Sequence, residues 1–373
     1  MQVYIDNIVF SLQKVGGISV YFAELTSRLM SSDNDVYFIE HKKTNTNIIR
    51  KRLNIPFDRI IVENYAPVNL LRYFPITINL NNYAIVHSTY FRTSINKNAV
   101  NITTVYDFNY ELGYLRRGIR KYVHCRQKKQ AVERADGVIC ISESTKRDLI
   151  RIYPHINPSK IKVIHLAASD EFYKINAEHP ADNVKLSLDN ILNKKYILFV
   201  GARNFHKNFD VCVDTVACLP DYELFIVGSK LSVNEIEMLE SKLSQRYKAF
   251  SNVNSVELNY LYNNAFCFMY PTSYEGFGIP VLEAMQAGCP VVSTKFSSIP
   301  EVAGDAGLLV DNISPLDLAA KVKMLGDESI RNRAVSAGFE QARKFSWEKT
   351  YQQTIDFYHE VFEKKFGKAT FSS

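Results

Sequence analysis

Apolar and polar positions alternate in blocks along the first half of the chain. Short apolar runs are followed by segments in which apolar residues recur at helical spacing, as in Ile18, Tyr21, Phe22, Leu25 and Leu29. This pattern predicts an amphipathic helix after each buried strand. The predicted strands of this half span residues 3–5, 36–39, 83–87, 102–106 and 137–141. Strands that alternate with helices favour parallel pairing in a doubly wound α/β sheet.

The periodicity fades around residues 165–193 and then resumes with a second set of strands. These strands are predicted at 195–201, 223–228, 265–270, 290–294 and 307–310. The tail carries Trp347, Tyr351, Ile355, Tyr358 and Phe362 on one side of a predicted amphipathic helix. The pattern therefore predicts an α/β domain over 1–168, a linker over 169–194, a second α/β domain over 195–345 and a C-terminal helix over 346–373.

Length and composition fit two globular domains. The chain has 373 residues, of which 46% are hydrophobic, and it lacks an apolar run of the length that a transmembrane helix needs. Its first residues follow the pattern of a strand rather than that of a signal peptide. The six cysteines show no metal-ligand spacing. Reduced, packed thiols in a cytoplasmic protein are therefore expected.

Charge is divided unevenly between the two halves. Residues 1–168 hold 24 Lys and Arg against 13 Asp and Glu, whereas residues 169–373 hold 21 against 26. The densest basic patch contains Arg116, Arg117, Arg120 and Lys121, with tyrosines interleaved. Basic and aromatic residues on one helix suit an anionic membrane surface, and a solvated basic helix is the alternative. Nucleic acid is not an expected partner, because zinc-finger, helix-turn-helix and RNP patterns are absent.

The most informative residues are two glutamates, Glu275 and Glu283, in the run YPTSYEGFGIPVLEAMQAGCPVV. An apolar strand precedes the run, a turn with two glycines follows, and Pro280 then opens a helix. Glu275 is thus predicted on a loop at the carboxyl end of a strand, and Glu283 in the first turns of the next helix. Two carboxylates beside free helix-start N–H groups suit a ligand with sugar hydroxyls at its ends and phosphate between them.

This run resembles the E-x7-E signature of retaining glycosyltransferases of the GT-B fold, family 4, and residues 298–310 resemble the family's next segment. The resemblance implies two doubly wound Rossmann-like domains that face each other across a cleft, and a C-terminal helix that returns to the N-terminal domain. It also implies transfer of a hexose from a nucleotide diphosphate sugar with retention at the anomeric carbon. On this basis Glu275 holds the donor sugar, Glu283 binds the ribose, and the backbone of Phe277, Gly278 and Ile279 stabilises the diphosphate.

Two further motifs match the family's donor site. Arg203 and Lys207 lie between a predicted strand and the start of a helix, where cations suit a diphosphate. The resemblance assigns both to the donor phosphates. Gly16 and Gly17 occupy the first strand-to-helix turn, where glycine lets the backbone approach a ligand closely. They are similar to the family's glycine-rich loop near the donor phosphate.

The chain departs from the family at Tyr106, which precedes Asp107 where the family usually has His-Asp. The resemblance places this pair near the transferred sugar, as candidate catalytic residues. Tyrosine can donate a hydrogen bond but cannot carry a positive charge at neutral pH. Two alternatives to a transferase therefore stay open: a GT-B sugar-nucleotide epimerase or hydrolase, and a sugar-nucleotide-binding homologue without turnover.

No bound cofactor is expected beside the sugar-nucleotide co-substrate. The eight histidines show no metal-ligand pairing, and the acidic pair at Asp33 and Asp35 precedes a strand, as a turn would. A metal-independent reaction is therefore expected. The resemblance further implies a GDP- or UDP-sugar donor and a glycan or polyprenyl-diphosphate-linked acceptor. It implies a mannosyltransferase of O-antigen or capsule assembly, cytoplasmic and peripheral to the inner face of the membrane.

Overall fold

The computed structural model describes residues 1–14, 16–41, 47–115, 118–177 and 195–367. Its contacts divide the chain into two compact units. The first comprises Met1–Leu166 together with the segment that begins at Trp347, and the second comprises Ala167–Ser346. Both units are α/β, as the alternating pattern of the sequence predicts.

The first unit is built on a parallel sheet. Its described strands are β1 (Gln2–Asp6), β2 (Asp35–His41), β3 (Ile60–Glu63), β4 (Ala84–Ser88), β5 (Ala99–Val105), β6 (Gly137–Cys140) and β7 (Ile161–Val163). Their order across the sheet is β3-β2-β1-β4-β5-β6-β7. The chain therefore builds outwards from β1 on one side and from β4 on the other. Such a reversal creates a switch point at the carboxyl ends of these two strands, where open α/β sheets bind ligands.

Helices connect these strands. They are α1 (Ile8–Leu12), α2 (Gly17–Met30), α3 (Ile48–Arg52), α4 (Val68–Leu71), α5 (Ile119–Arg134) and α6 (Glu143–Ile152). The glycine turn that the sequence predicts at the start of α2 is present, with Gly16 as the residue before the helix. Of the basic patch, Arg120 and Lys121 lie in the first turn of α5.

The second unit repeats this architecture with a smaller sheet. Its described strands are β8 (Tyr196–Val200), β9 (Glu223–Val227), β10 (Tyr247–Phe250), β11 (Cys267–Tyr270), β12 (Val291–Thr294) and β13 (Leu308–Val310), in the order β10-β9-β8-β11-β12-β13. Its helices are α7 (Phe209–Ala217), α8 (Val233–Leu243), α9 (Ser255–Asn264), α10 (Ile279–Gln286), α11 (Ile299–Ala303), α12 (Pro315–Met324) and α13 (Glu328–Ala342). The switch point here lies between β8 and β11.

The last helix, α14 (Trp347–Phe366), packs on the sheet of the first unit. Tyr358 of this helix and Thr104 of β5 flank the buried His87 ring, with Tyr358 Oη 2.5 Å from Nδ1 and Thr104 Oγ1 2.8 Å from Nε2. The helix also lies directly over Gly137. A Cβ atom there would lie 2.8 Å from Val361 Cγ2, so glycine is what allows helix and strand to pack this closely.

Residues 172–175, in the first part of the predicted linker 169–194, contact α9 of the second unit. Asparagine side chains of that helix accept hydrogen bonds from the backbone of these residues. The N–H of Tyr173 donates to Asn259 Oδ1 at 3.1 Å, and the N–H of Ile175 donates to Asn263 Oδ1 at 2.8 Å. The rest of the predicted linker, 178–194, lies outside the described residues.

A buried ion network holds the first sheet together near its switch point. Arg92 follows β4, and its guanidinium contacts Asp6 of β1 at 3.0 Å and Glu63 of β3 at 2.8 Å. The Ser88 hydroxyl donates to the second oxygen of Asp6 at 3.0 Å. Burial raises the pKa of Asp6, while Arg92 opposes that effect. The network therefore depends on the arginine, since buried carboxylates without a cation are costly.

We expect Arg92→Met to lower the free energy of unfolding of the first unit by about 3–5 kcal/mol, because it leaves Asp6 and Glu63 buried without a cation. Urea unfolding followed by the fluorescence of Trp347 measures this, since the single tryptophan is buried in the first unit. The matched control is Arg28→Met, which breaks a partly exposed pair and should cost less than about 1 kcal/mol. Equal losses in the two variants would contradict the assignment.

Candidate functional site

Two loops of the second unit lie side by side because the strands that precede them are neighbours. Strand β8 pairs in parallel with β11, so both loops leave the same edge of the sheet. Asn208, in a left-handed conformation at φ 46°, donates through Nδ2 to Pro271 O at 2.6 Å and to Ser273 Oγ at 2.8 Å. The Ser273 N–H donates to His206 O at 2.7 Å. These bonds join the loop that carries Lys207 to the loop that carries Glu275.

Lys207 and Glu275 are in direct contact, and a tyrosine bridges them. Lys207 Nζ lies 2.8 Å from Glu275 Oε1 and donates to Tyr270 Oη at 2.5 Å. The Tyr270 hydroxyl in turn donates to Glu275 Oε1 at 2.7 Å. Burial and the neighbouring Glu275 raise the pKa of Tyr270 well above its usual range, so the hydroxyl stays protonated. An ammonium group has three donors, and these two contacts leave one for a ligand.

The backbone around Glu275 is anchored to the segment that follows β12. Its N–H donates to Ser297 Oγ at 2.8 Å, and the Ser298 hydroxyl donates to Glu275 O at 2.9 Å and to Phe277 O at 2.7 Å. The Glu275 side chain nevertheless keeps 16% of its surface exposed. The carboxylate is thus held in place while it can still accept a hydrogen bond from a hydroxyl group outside the protein.

Helix α10 begins as the sequence predicts. Gly278 has φ 110°, a conformation that favours glycine, and Pro280 is the second helical residue. Gly288 has φ 72° just beyond the end of the helix. The first turn therefore follows the Glu275 loop directly. The backbone N–H groups at Phe277, Gly278 and Ile279 lie at this helix start, where an anion is stabilised.

Glu283 lies in the second turn of α10. The Tyr262 hydroxyl of α9 donates to its Oε2 at 3.2 Å. Burial raises the pKa of Glu283 to about 7, and the hydrogen bond from Tyr262 partly opposes this. The carboxyl group therefore changes charge near neutral pH. As a carboxylate it is a pure acceptor that suits a pair of sugar hydroxyls.

Arg203 is occupied by partners of its own unit. Its Nε lies 2.5 Å from Glu235 Oε1, and Nη2 donates to the carbonyls of Ser229 at 3.0 Å and Lys230 at 2.9 Å. Nη1 is buried without a partner among the described residues. Arg203 thus braces the connection between β9 and α8, and its charge is already paired in this conformation.

Among the candidate residues of the first unit, Tyr106 is buried, Asp107 and Gly16 are partly buried, and Gly17 is exposed. Tyr106 is 8% exposed, and its hydroxyl donates to Thr89 O at 3.1 Å. Burial raises the pKa of Tyr106 well above its usual range, so the group is neutral. Asp107, the next residue, is partly buried and accepts from the Asn109 N–H at 3.1 Å. At Gly17 a Cβ atom would meet nothing within 4 Å, so packing does not require glycine there.

The predicted membrane-facing patch is described only in part. Arg116 and Arg117 lie outside the described residues, and Arg120 is described only as backbone of α5. Lys121 is half-buried, and the neighbouring Tyr122 is exposed. None of the described helices combines the length and apolarity needed to cross a bilayer. The described residues also contain no group of three or more His, Cys, Asp or Glu side chains placed to hold a metal ion.

Several residues of the site escaped the sequence reasoning. Tyr270 is the last residue of a buried strand, and Tyr262 lies on a helix, so neither stands out from ordinary core positions. Glu235 carries a visible signal, the Ser232-to-Glu235 capping box, which predicts a helix start but not an ion pair with Arg203. These partners come from other elements of the fold.

Two family models match this chain, one in each half. Residues 184–341 match the family model "Glycosyl transferases group 1", and residues 15–171 match "Glycosyltransferase Family 4". The chain is 31% identical over 241 residues to the O-antigen chain mannosyltransferase B of Escherichia coli. It is 27% identical over 249 residues to the D-inositol 3-phosphate glycosyltransferase of Corynebacterium glutamicum (strain R). These matches span 61% and 63% of this chain, and 62% and 59% of the relatives, less than two thirds of either relative.

Solved structures share the fold at lower identity. The crystal structure of HepE from Anabaena in complex with UDP-glucose has a TM-score of 0.73 at 14% identity, over 96% of this chain and 100% of that one. At this identity the likeness concerns the fold alone. It agrees with the two doubly wound sheets described above.

Tyr270→Phe removes the hydroxyl that bridges Lys207 and Glu275, while the ring still fills its buried position. We expect faster amide exchange in the loop of residues 271–278, because the Glu275 carboxylate loses its tyrosine donor. Hydrogen-exchange mass spectrometry measures this locally. Tyr260→Phe, whose hydroxyl makes no hydrogen bond with a described residue, is the control. Identical exchange in both variants would show that the bridge does not hold the loop.

Proposed function

The chain belongs to the GT-B glycosyltransferases of family 4, and from this membership we propose that it is a hexosyltransferase acting on a nucleotide diphosphate sugar. The observation that carries the proposal is the contact of Lys207 with Glu275 at the carboxyl edge of the second sheet, directly before the start of α10. A cation, a carboxylate and a helix N-terminus at one edge of the sheet suit a phosphate bound next to a sugar.

Each side chain has a proposed role that follows from its surroundings. Lys207 binds the diphosphate through its remaining donor, together with backbone N–H groups at the start of α10. Glu275 accepts hydrogen bonds from the hydroxyls of the transferred sugar. Glu283 binds the ribose hydroxyls. Arg203 adds positive potential nearby, and it contacts the phosphates only if Glu235 releases it.

The proposed reaction retains the configuration of the anomeric carbon and uses no metal. The bond between the anomeric carbon and the diphosphate oxygen breaks, and the electron pair leaves with the diphosphate. The acceptor hydroxyl forms the new bond on the same face of the sugar, and its proton passes to the departing phosphate oxygen. Lys207 and the helix N-terminus stabilise the growing negative charge, and Glu275 stabilises the positive charge on the sugar. No side-chain base is needed, which is compatible with a buried, neutral Tyr106.

The identities proposed for the donor and the acceptor are inferred from a named relative and from a protein of the same fold. One relative is named as an O-antigen mannosyltransferase, and a protein of the same fold was solved with UDP-glucose. A GDP- or UDP-hexose is therefore the proposed donor, with GDP-mannose first. The proposed acceptor is a glycan, either free or linked to a polyprenyl diphosphate. The basic α5 would bring the protein to the anionic inner face of the membrane, from the cytoplasm.

Turnover is tested with the purified full chain and a panel of GDP-, UDP- and dTDP-sugars. We expect slow release of the nucleotide diphosphate from one donor, with loss of at least about tenfold in Glu275→Ala, since the sugar's positive charge then lacks its carboxylate. Free sugar as the sole product, even with acceptor glycans present, would favour a hydrolase, and an epimerised donor would favour an epimerase. Donor binding without any consumption would favour the homologue without turnover that Tyr106 suggests.

The pKa of Glu283 predicts how donor binding depends on pH. The carboxylate form accepts the ribose hydroxyls, and its fraction rises as pH increases through about 7. Affinity for the donor should therefore fall roughly tenfold from pH 8 to pH 6. Isothermal titration calorimetry with the donor found in the panel measures the effect. Glu283→Gln should bind weakly at both pH values; an unchanged pH dependence in that variant would assign the titration to another group.

A further inference from the structure

One arginine of the first unit lies among aromatic rings without an acidic partner. The Arg72 guanidinium carbon is 4.2 Å from the centre of the Tyr90 ring and 5.2 Å from that of Tyr73. Among the described residues, no carboxylate forms an ion pair with it. Arg72 is partly buried, whereas the other described arginines of this unit are either paired with carboxylates (Arg28, Arg50, Arg59, Arg92 and Arg151) or exposed to solvent (Arg52, Arg126, Arg134 and Arg147). Arg72 is therefore a cation whose charge the protein itself leaves unbalanced.

The aromatic surface continues from Tyr90 to the next helix. Tyr90 Oη lies 3.3 Å from His124 Nδ1, and the Tyr110 ring is centred 4.6 Å from the His124 ring. Burial lowers the pKa of His124 to about 4, and Lys128 contributes to the shift. The imidazole is therefore neutral at physiological pH. Tyr90, His124 and Tyr110 are all partly exposed, so they present a ring surface with Arg72 as its cation.

This surface lies at the ligand-binding edge of the first sheet. Tyr90 follows the carboxyl end of β4, and Asp107 follows the carboxyl end of the adjacent parallel strand β5. Asp107 is close enough to influence the titration of both Tyr90 and His124. The aromatic surface therefore lies at the same sheet edge as Asp107, which the family resemblance makes a candidate catalytic residue.

We propose that Tyr90, Tyr110 and Arg72 form an acceptor subsite that binds a sugar ring on the aromatic faces and its anionic substituent on the guanidinium. The proposal rests on the transferase function above. The faces of aromatic rings carry negative charge density, which attracts the polarised C–H groups of a pyranose. An arginine stacked on a ring keeps its in-plane N–H groups free for a planar or tetrahedral anion. The anion is a phosphate, as in a lipid-linked glycan, or the carboxylate of an acidic sugar.

The test is direct binding to the full chain in the presence of saturating GDP and UDP, which fill the proposed diphosphate site, because mannose 1-phosphate is itself the sugar-phosphate part of a donor. The probes are methyl α-mannoside, α-mannose 1-phosphate and methyl glucuronide, titrated by saturation-transfer difference NMR. The wild-type chain should bind mannose 1-phosphate about tenfold more tightly than the neutral mannoside. Arg72→Gln should abolish that preference. Tyr90→Ala should weaken the binding of both the mannoside and mannose 1-phosphate roughly fivefold. A preference for mannose 1-phosphate over glucuronide supports a phosphate source, and equal binding of the two supports an acidic sugar.

Matched variants separate this subsite from the donor site and from effects on folding. Lys207→Ala should keep the preference for mannose 1-phosphate, because Lys207 lies in the second unit. Loss of the preference in Lys207→Ala together with its retention in Arg72→Gln would overturn the proposal. Tyr90→Phe keeps the ring and should bind like wild type. If Arg72→Gln does not fold, Arg72→Lys replaces it and should bind the phosphate less tightly. Failure of donor turnover would leave this binding measurement intact, so the two proposals fail separately.

Discussion

The parallel pairing of β8 with β11 is the constraint on which the candidate site depends. Residues far apart in sequence, Lys207 and Glu275, share one hydrogen-bonded cluster because their strands are neighbours in the sheet and end at the same edge. Asn208 in its left-handed conformation then fixes the distance between the two loops. The chemistry of the site thus follows from the reversal of strand order in the second unit.

The cationic side chains at this edge of the second sheet are paired with carboxylates of the same unit. Lys207 is paired with Glu275 and Arg203 with Glu235, so a phosphate must compete with carboxylates for each cation. The start of α10 adds positive potential that comes from peptide groups rather than from a side chain. This arrangement lowers the cost of an empty, partly buried site, since isolated buried charges are expensive.

The sequence predicts the central strands well and the edges poorly. The strands β1, β8 and β11 are buried, so their apolar runs stand out. Three of the four edge strands, β3, β7 and β10, are short and partly exposed, and the sequence pattern does not predict them, whereas it does predict the edge strand β13. The positions of Glu275 and Glu283 follow from local glycine and proline signals. Tyr270 and Tyr262 do not, because their roles depend on partners from other elements. The contacts of residues 173 and 175 with asparagines of α9 do not follow from the sequence, because those asparagines are remote along the chain.

The close packing of α14 on Gly137 has a consequence for folding during synthesis on the ribosome. The first unit is made of two segments separated by the whole second unit, so its sheet emerges long before the helix that covers it. Until the twenty residues of α14 have been translated, no helix packs on the surface around His87 and Gly137. The second unit, by contrast, is continuous and can fold as soon as it has emerged. Of the two units, the one whose synthesis begins first is therefore completed second, and its nascent sheet stays exposed to aggregation for longer.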